Sequence, residues 1–471
     1  MKRNAQSIPS EAKGSALLAA LCFCAVLGIA LASYMGVCYH TLQTSSRNNF
    51  ATHSFELAET GMEEALGALN RYGYDSSQDW SDWTITSTTA TKTLSGFTLG
   101  NTATGTVAIA IENYNGRQNG LNPVLNVTGT TTLGDGTNVV RKLRATAKLA
   151  PMFVNAVGST FSILTSGDPP VSGSTRGIRF NNGGTVDSLD SGLVAPSEEE
   201  QLAVFFSAII SSGNGITLSD TQVRGYIAAA TETVENPDTP ASLKLFYTSN
   251  AHVEGPLTPP STQIDQTRLS SSPYQPAFEI KQPPGAVLPQ AIPPGSATLG
   301  SSDPDAGEMV YSAADLIVTS ETLTVEGKVV IVVSGDLSIT GTAKIVVADG
   351  ASLQIVLPEP FSRTLFIGGG GIENVSGKAR NVAVFYAGKN PEINPEISTT
   401  AAFCGVVYAP NCNLDFIVSS DLVFTGSIVA KTVTFSGTPV IHYDLDLRKP
   451  TTKFSCLETP FTVSSWQEVL P

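Results

Sequence analysis

The stretch KVVIVVSGDLSITGTAKIVVADGASLQIVL, residues 328–357, decides how most of this chain reads. Its apolar pairs Val329/Ile331, Leu337/Ile339, Ile345/Val347 and Leu353/Ile355 each fall eight residues after the last. Turn residues fill the gaps: Ser334-Gly335-Asp336, Thr340-Gly341-Thr342 and Ala348-Asp349-Gly350. Apolar side chains at every second position mark short strands with one buried face. The spacing returns at Val406/Tyr408, Leu414/Phe416 and Leu422/Phe424. A second element, Gly-x-aliphatic-x-Ala, occurs at 225–229, 405–409 and 426–430, the last two 21 residues apart. Even strands recurring about every 20 residues predict a parallel β-helix, or solenoid, because each coil buries its inward face only against the next. A β-sandwich is the alternative such spacing allows.

Composition points the same way. The chain has 471 residues with 42 Gly and 28 Pro, and only 14 % of it is charged, well below the roughly 25 % of typical globular chains. That mixture suits an all-β body with many turns and argues against a mostly helical enzyme. The net charge is −14, so the bulk field repels phosphate backbones and nucleic acid is no partner. Four histidines, at 40, 53, 252 and 442, have no metal-ligand spacing, and the six cysteines form no Cys-x-x-Cys pair. No metal and no cofactor is expected.

Ahead of the strands lies a different signal. Residues 14–46 carry no Asp, Glu, Lys or Arg, and 16–39 are apolar, including Leu17, Leu18, Leu21, Val26, Leu27, Ile29 and Leu31. About 20 such residues span a bilayer core. The leader holds Lys2, Arg3 and Lys13 against Glu11, so the first residues stay in the cytoplasm and the bulk is exported. A cleaved secretory signal has an apolar region of only about 7 to 15 residues, shorter than this one. Between Arg47 and Arg71 there is no Pro, and Phe50, Phe55, Ala58, Met62, Ala65 and Leu69 recur at helical intervals. One helix of about 85 Å is predicted from Gly14 to Arg71, with Glu56, Glu59, Glu63 and Glu64 on its solvated side.

A basic leader ending in Gly, then a helix whose first half is apolar, is the arrangement of type IV pilins and pseudopilins. Here Lys13-Gly14-Ser15-Ala16-Leu17-Leu18 and the run FELAETGMEEAL at 55–66 resemble the N-terminus of PilX-type minor pilins. The resemblance implies that a prepilin peptidase cuts between Gly14 and Ser15. It also implies insertion in the inner membrane of a Gram-negative bacterium, with the bulk in the periplasm or at the cell surface. The fifth residue after the cut is Ala19 where major pilins carry glutamate, which removes a device that pairs with a neighbour's N-terminus. A plain single-pass anchor is the alternative for this segment.

The expected organisation is a leader over 1–14, the helix over 15–71, a pilin-like β head over 72–151 with short strands from Thr84 onward, and the solenoid over 152–448. A tail over 449–471 ends the chain. Within the solenoid, 197–211 reads as a helical insert opened by Glu198-Glu199-Glu200, and 251–310, with 11 prolines, as an extended strap. The fold class expected is thus α+β overall with an all-β parallel β-helix as its larger part. The segment 153–448 resembles uncharacterised β-solenoid domains that follow PilX-type N-termini, through Gly405 to Asn411, Gly426 to Lys431 and Ile441 to Asp444.

Candidate chemistry is sparse. Asp187 with Asp190, and Asp303 with Asp305 and Glu308, are carboxylate pairs of the kind a glycosidase needs, but they sit among Gly, Ser and Pro and read as turn residues. His442-Tyr443-Asp444 has no Gly-x-Ser-x-Gly elbow, and Gly368 to Gly371 lacks the Lys of a phosphate loop. Cys404, Cys412 and Cys456 face an oxidising compartment; any disulfide among them leaves one thiol free, and the spacing selects no pair. The function expected is structural or adhesive: a subunit of a type IV pilus-like or type II secretion-like filament that presents an adhesive or partner-binding β-solenoid, with no catalysis, partnered by other pilin or pseudopilin subunits and by polysaccharide or a cell surface. The rival readings are a membrane-anchored carbohydrate-active β-helix enzyme and an envelope adhesin outside any filament.

Overall fold

The computed structural model describes residues 12–72, 80–99, 103–116, 121–159, 178–193, 197–213, 215–229, 243, 245–271, 278, 280–281, 290–303, 305–358, 364–388, 396–397, 402–417, 422–449, 452–457 and 459–469. They fall into two compact units, one built from 1–149 with 461–471 and the other from 150–460.

In the first unit, helix α1 (Ala12–Tyr72) runs unbroken for 61 residues. Its second half carries a buried stripe of Ser54, Leu57, Ala58, Gly61, Ala65, Ala68 and Leu69, spaced by one, three or four as a helix face requires. That stripe lies on a six-stranded antiparallel sheet, ordered Thr84–Ile85, Thr89–Leu99, Ala103–Glu112, Val124–Leu133, Asn138–Leu149 and Phe461–Val469. The strands alternate: Val107, Ile109 and Ile111, Leu125 and Val127, and Leu143, Ala145 and Ala147 face the helix and are buried. Helix and sheet meet at glycines. A Cβ on Gly61 would stand 2.4 Å from Val107, and one on Gly105 2.7 Å from Leu57.

Two expectations are corrected in this unit. The segment expected as a tail over 449–471 supplies the last strand, with Trp466 opposite Ala145 and Phe461 opposite Leu149. Glu56, Glu59 and Glu63 are exposed as expected, but Glu64 is half-buried, where Lys92 reaches it at 2.9 Å.

The second unit is made of parallel strands. Lys328–Val333, Leu337–Ile339 and Lys344–Val347 each join a different ladder: Val329 pairs Leu353, Leu337 pairs Leu365, and Ile345 pairs Ile372. Val329, Ile331, Leu337, Ile339, Ile345, Val347, Leu353 and Ile355 are all buried in one apolar core. A four-stranded sheet holds Ala297–Gly300, Thr322–Glu326, Lys344–Val347 and Ile372–Asn374; the other strands belong to a 21-stranded sheet.

The expected fold class, an α+β chain whose larger part is a regular parallel β-helix, is corrected here. The chain is mostly β, with antiparallel and parallel sheets, and the parallel strands do not form a clear solenoid. Cross-strand partners are 20 residues apart at Met309 and Val329 but 29 apart at Leu353 and Val382, so no constant coil repeats. The order then breaks: Ile428 pairs Val157, Val433 pairs Ile178 and Ile441 pairs Val186, so strands from the start of the unit lie beside those from its end. Period-two alternation specifies a buried strand face but not which strand becomes its neighbour.

The insert at 197–211 is shorter than expected. Helix α2 (Glu198–Phe205) starts with a capping box between Ser197 and Glu200 and gives way to the strand Ala208–Ser212. The Pro-rich stretch 251–310 contains the short strands His252–Glu254, Leu269–Ser270, Gln290–Ala291 and Ala297–Gly300, and parts of it lie outside the described residues.

Candidate functional site

The first half of α1 is the most unusual surface of the molecule. Leu17, Leu18, Leu21, Val26, Leu27, Ile29 and Leu31 are between 53 % and 69 % exposed. Mean hydropathy reaches 2.3 over an 18-residue window of this helix, none of it buried. Covering one such side chain contributes roughly 1.5 to 3 kcal/mol, so a stripe of this length demands lipid or neighbouring helices. It is long and apolar enough to cross a membrane once. Thr41 returns its hydroxyl to the carbonyl of Val37 at 2.9 Å, which satisfies it within the helix. Gly14 and Ser15 lie in the first turn of α1, and residues 1–11 of the leader are outside the described residues.

The second half of α1 is fixed by chemistry as well as packing. Ser54 Oγ lies 2.8 Å from Thr131 Oγ1 and 2.9 Å from the carbonyl of Val139. Asn70 Nδ2 donates to the carbonyl of Phe461 at 3.2 Å, while the Phe461 amide donates to Asn70 Oδ1 at 2.6 Å. Ser54 and Asn70 thus hold α1 to the sheet over more than four helical turns.

In the second unit, parallel register builds a row of charged residues on the outside of the ladder. His442 pairs with Asp187, Val223 with Val186, and Arg224 with Glu254. His442 Nδ1 stands 2.5 Å from Asp187 Oδ1, Arg224 Nη1 3.6 Å from Asp187 Oδ2, and Arg224 Nε 3.2 Å from Glu254 Oε1. Gln222 closes the row, donating to Glu254 at 2.7 Å and accepting from Arg224 Nη2 at 2.9 Å. Asp187 is buried, and Arg224 also stacks over Phe205 with 4.8 Å to the ring centroid. Arg224 stands opposite both carboxylates, Asp187 and Glu254, which is how a buried carboxylate is stabilised. The sequence singled out Asp187 and His442 but neither Arg224 nor Glu254; their signal was the alternation around Gly225.

The other suggested carboxylates go elsewhere. Asp190 accepts from Lys449 Nζ at 3.1 Å and from the Gly192 amide at 2.8 Å. Lys449 also meets Asp446 at 2.8 Å, and these two carboxylates, Asp446 first, raise its pKa above the usual lysine range. Asp444 is fully buried and accepts from the amides of Ser191, Ala379 and Asp446, a structural acceptor rather than a partner for His442. Asp303 accepts the Asp305 amide at 3.0 Å and lies in an exposed turn, while Glu308 accepts from Ser455 Oγ at 2.8 Å. Gly368 to Gly371 form a main-chain turn with positive φ at Gly369 and Gly371, seated on the Thr340-Gly341 turn.

All six cysteines are free in the structure. Cys412 Sγ donates to the carbonyl of Gly388 at 2.8 Å. Burial pushes the Cys404, Cys412 and Cys456 thiols up to about 12, with Asp444 adding to the effect at Cys404. They are protonated at neutral pH and poor nucleophiles. Among the described residues no three His, Cys, Asp or Glu side chains gather as a metal site.

Residues 295–449, about a third of the chain, match a domain of unknown function (DUF7305). The sequence matches no curated protein. Among solved structures, the competence-associated pilin ComZ from Thermus thermophilus is similar at 14 % identity with a TM-score of 0.30, over 90 % of this chain and 98 % of that one. At that score the likeness does not define the fold.

Proposed function

We propose that the chain is a minor pilin-like or pseudopilin-like subunit of a type IV pilus-like or type II secretion-like filament. Prepilin peptidase processes it between Gly14 and Ser15, and it presents its second unit to a partner, a polysaccharide or a cell surface without turning over substrate. One observation carries this reading: a single helix is apolar and uncovered over its first half and seated on an antiparallel sheet over its second. Such a helix stores the subunit in the membrane and exchanges lipid for neighbouring helices on assembly. The bulk lies outside the cytoplasm, since the basic leader stays inside.

The test is shearing of surface filaments from cells that express the chain. The processed chain should appear in the sheared fraction, and Gly14→Trp should hold it, unprocessed, in the membrane fraction. Recovery in membranes alone, with or without Gly14, would reduce the protein to an anchored envelope protein.

A further inference from the structure

The face of the first sheet turned away from α1 carries a stripe of positive charge on an otherwise acidic chain. In the strand Asn138–Leu149, Leu143, Ala145 and Ala147 face the helix, so Lys142, Arg144 and Lys148 point the other way, and all three are exposed. Their cross-strand neighbours are uncharged: Thr128 and Asn126 on one side, and Val469, Gln467 and Thr462 on the other. The carboxylate of Glu112, on the next strand, is held by Asn126 Nδ2 at 3.0 Å, and Glu468 is held on the helix side by Arg141 at 2.9 Å. Among the described residues none of the three cations makes an ion pair.

The charge they lack is abundant in the other unit. Residues 150–460 hold 16 Lys and Arg against 30 Asp and Glu, a net charge of −14, whereas the first unit holds 11 of each. We propose that Lys142, Arg144 and Lys148 form a docking surface for the acidic second unit of another copy of this chain. The proposal rests on the reading of the chain as a filament subunit, and it specifies how the subunits meet. Because the two surfaces are different patches of the same protein, the contact is heterologous; it propagates from copy to copy and does not close in a pair. Repulsion between the acidic units opposes any arrangement that places them side by side, which favours the head-to-body order.

The test is sedimentation velocity of the full chain in a neutral detergent across salt concentrations. Self-association should be strong near about 0.01 M salt, where charges act over about 30 Å, and lost near about 1 M, where the range is about 3 Å. The triple reversal Lys142→Glu, Arg144→Glu and Lys148→Glu should weaken it about tenfold or more, and the exchange Lys142→Arg, Arg144→Lys and Lys148→Arg should keep it. Replacement of all three by Ala gives the same direction with less risk to folding, and should fall between. A chain that is monomeric at every salt, or whose association ignores both salt and these substitutions, would overturn the proposal. The N-terminus of the same sample separates this from the filament reading: a chain that begins at Ser15 yet stays monomeric overturns the contact alone.

Discussion

A Cβ placed on Gly129 would stand 2.1 Å from the carbonyl oxygen of Ser54 and 2.7 Å from the amide of Ala58. The backbone of α1 therefore lies directly against the strand Val124–Leu133, and the absence of one side chain sets that distance. The helix and the sheet are one folded object, and the uncovered apolar half continues the same unbroken helix.

Gly129→Val should cost the first unit about 2 kcal/mol or more, since neither contacting atom belongs to a flexible side chain. Gly67→Ala, in the same helix with only the tip of Arg71 nearby, should be neutral or stabilise by about 0.5 to 1 kcal/mol. Chemical denaturation of both variants checks the pair.

Truncation should separate the two halves of α1. A chain beginning at residue 43 keeps every residue of the first unit's core and should be soluble and folded. One beginning at residue 73 loses Leu57, Ala58, Ala65, Ala68 and Leu69 from the core and should aggregate or bind hydrophobic dye. Near-ultraviolet circular dichroism compares them.

Ile345 is fully buried, while Lys344 beside it is half-buried, with its charged end in solvent and paired with Glu373 at 2.9 Å. Ile345→Asp loses roughly 1.5 to 3 kcal/mol of burial and leaves a carboxylate in an apolar core, so the second unit should unfold. Lys344→Asp should cost about 1 kcal/mol or less, as exposed pairs do. Equal effects on thermal stability would refute the inward assignment.

These alternations were the legible part of the fold. The pairs at 329, 337, 345 and 353 mark strand faces, and every one of those residues is buried. The pairing was not legible, because residues eight apart enter different ladders, and partners such as Ile428 and Val157 share no local pattern. In sequence His442 stands beside Asp444 and Asp187 beside Asp190, whereas 255 residues divide His442 from Asp187 and only the parallel register brings them together. The final strand reads as a tail in sequence because its neighbour, Asn138–Leu149, lies across the whole second unit. The apolar half of α1 was legible outright, since continuous hydropathy needs no long-range contact to be recognised.

The buried thiols give a pH dependence. Cys412 and Cys456 sit at about 12 in the folded chain against 9.0 for an ordinary cysteine. The folded state keeps protons that the unfolded state releases, so this stability is complete below pH 9 and lost as pH rises toward 12. Each thiol should add a slope of about 1.4 kcal/mol per pH unit in that window. Cys412→Ala and Cys456→Ala should flatten the slope between pH 9 and 11, read by denaturant titration, whatever they do to stability at pH 7.

The most direct measurement is the mass of the mature protein's N-terminus, taken from membranes of cells that make the chain. The account requires a chain that starts at Ser15, because the Gly14–Ser15 bond lies in the first turn of the helix that would enter lipid and later a filament. A retained Met1, or a start beyond residue 30, would contradict it and leave a membrane anchor or a secreted protein in place of a filament subunit.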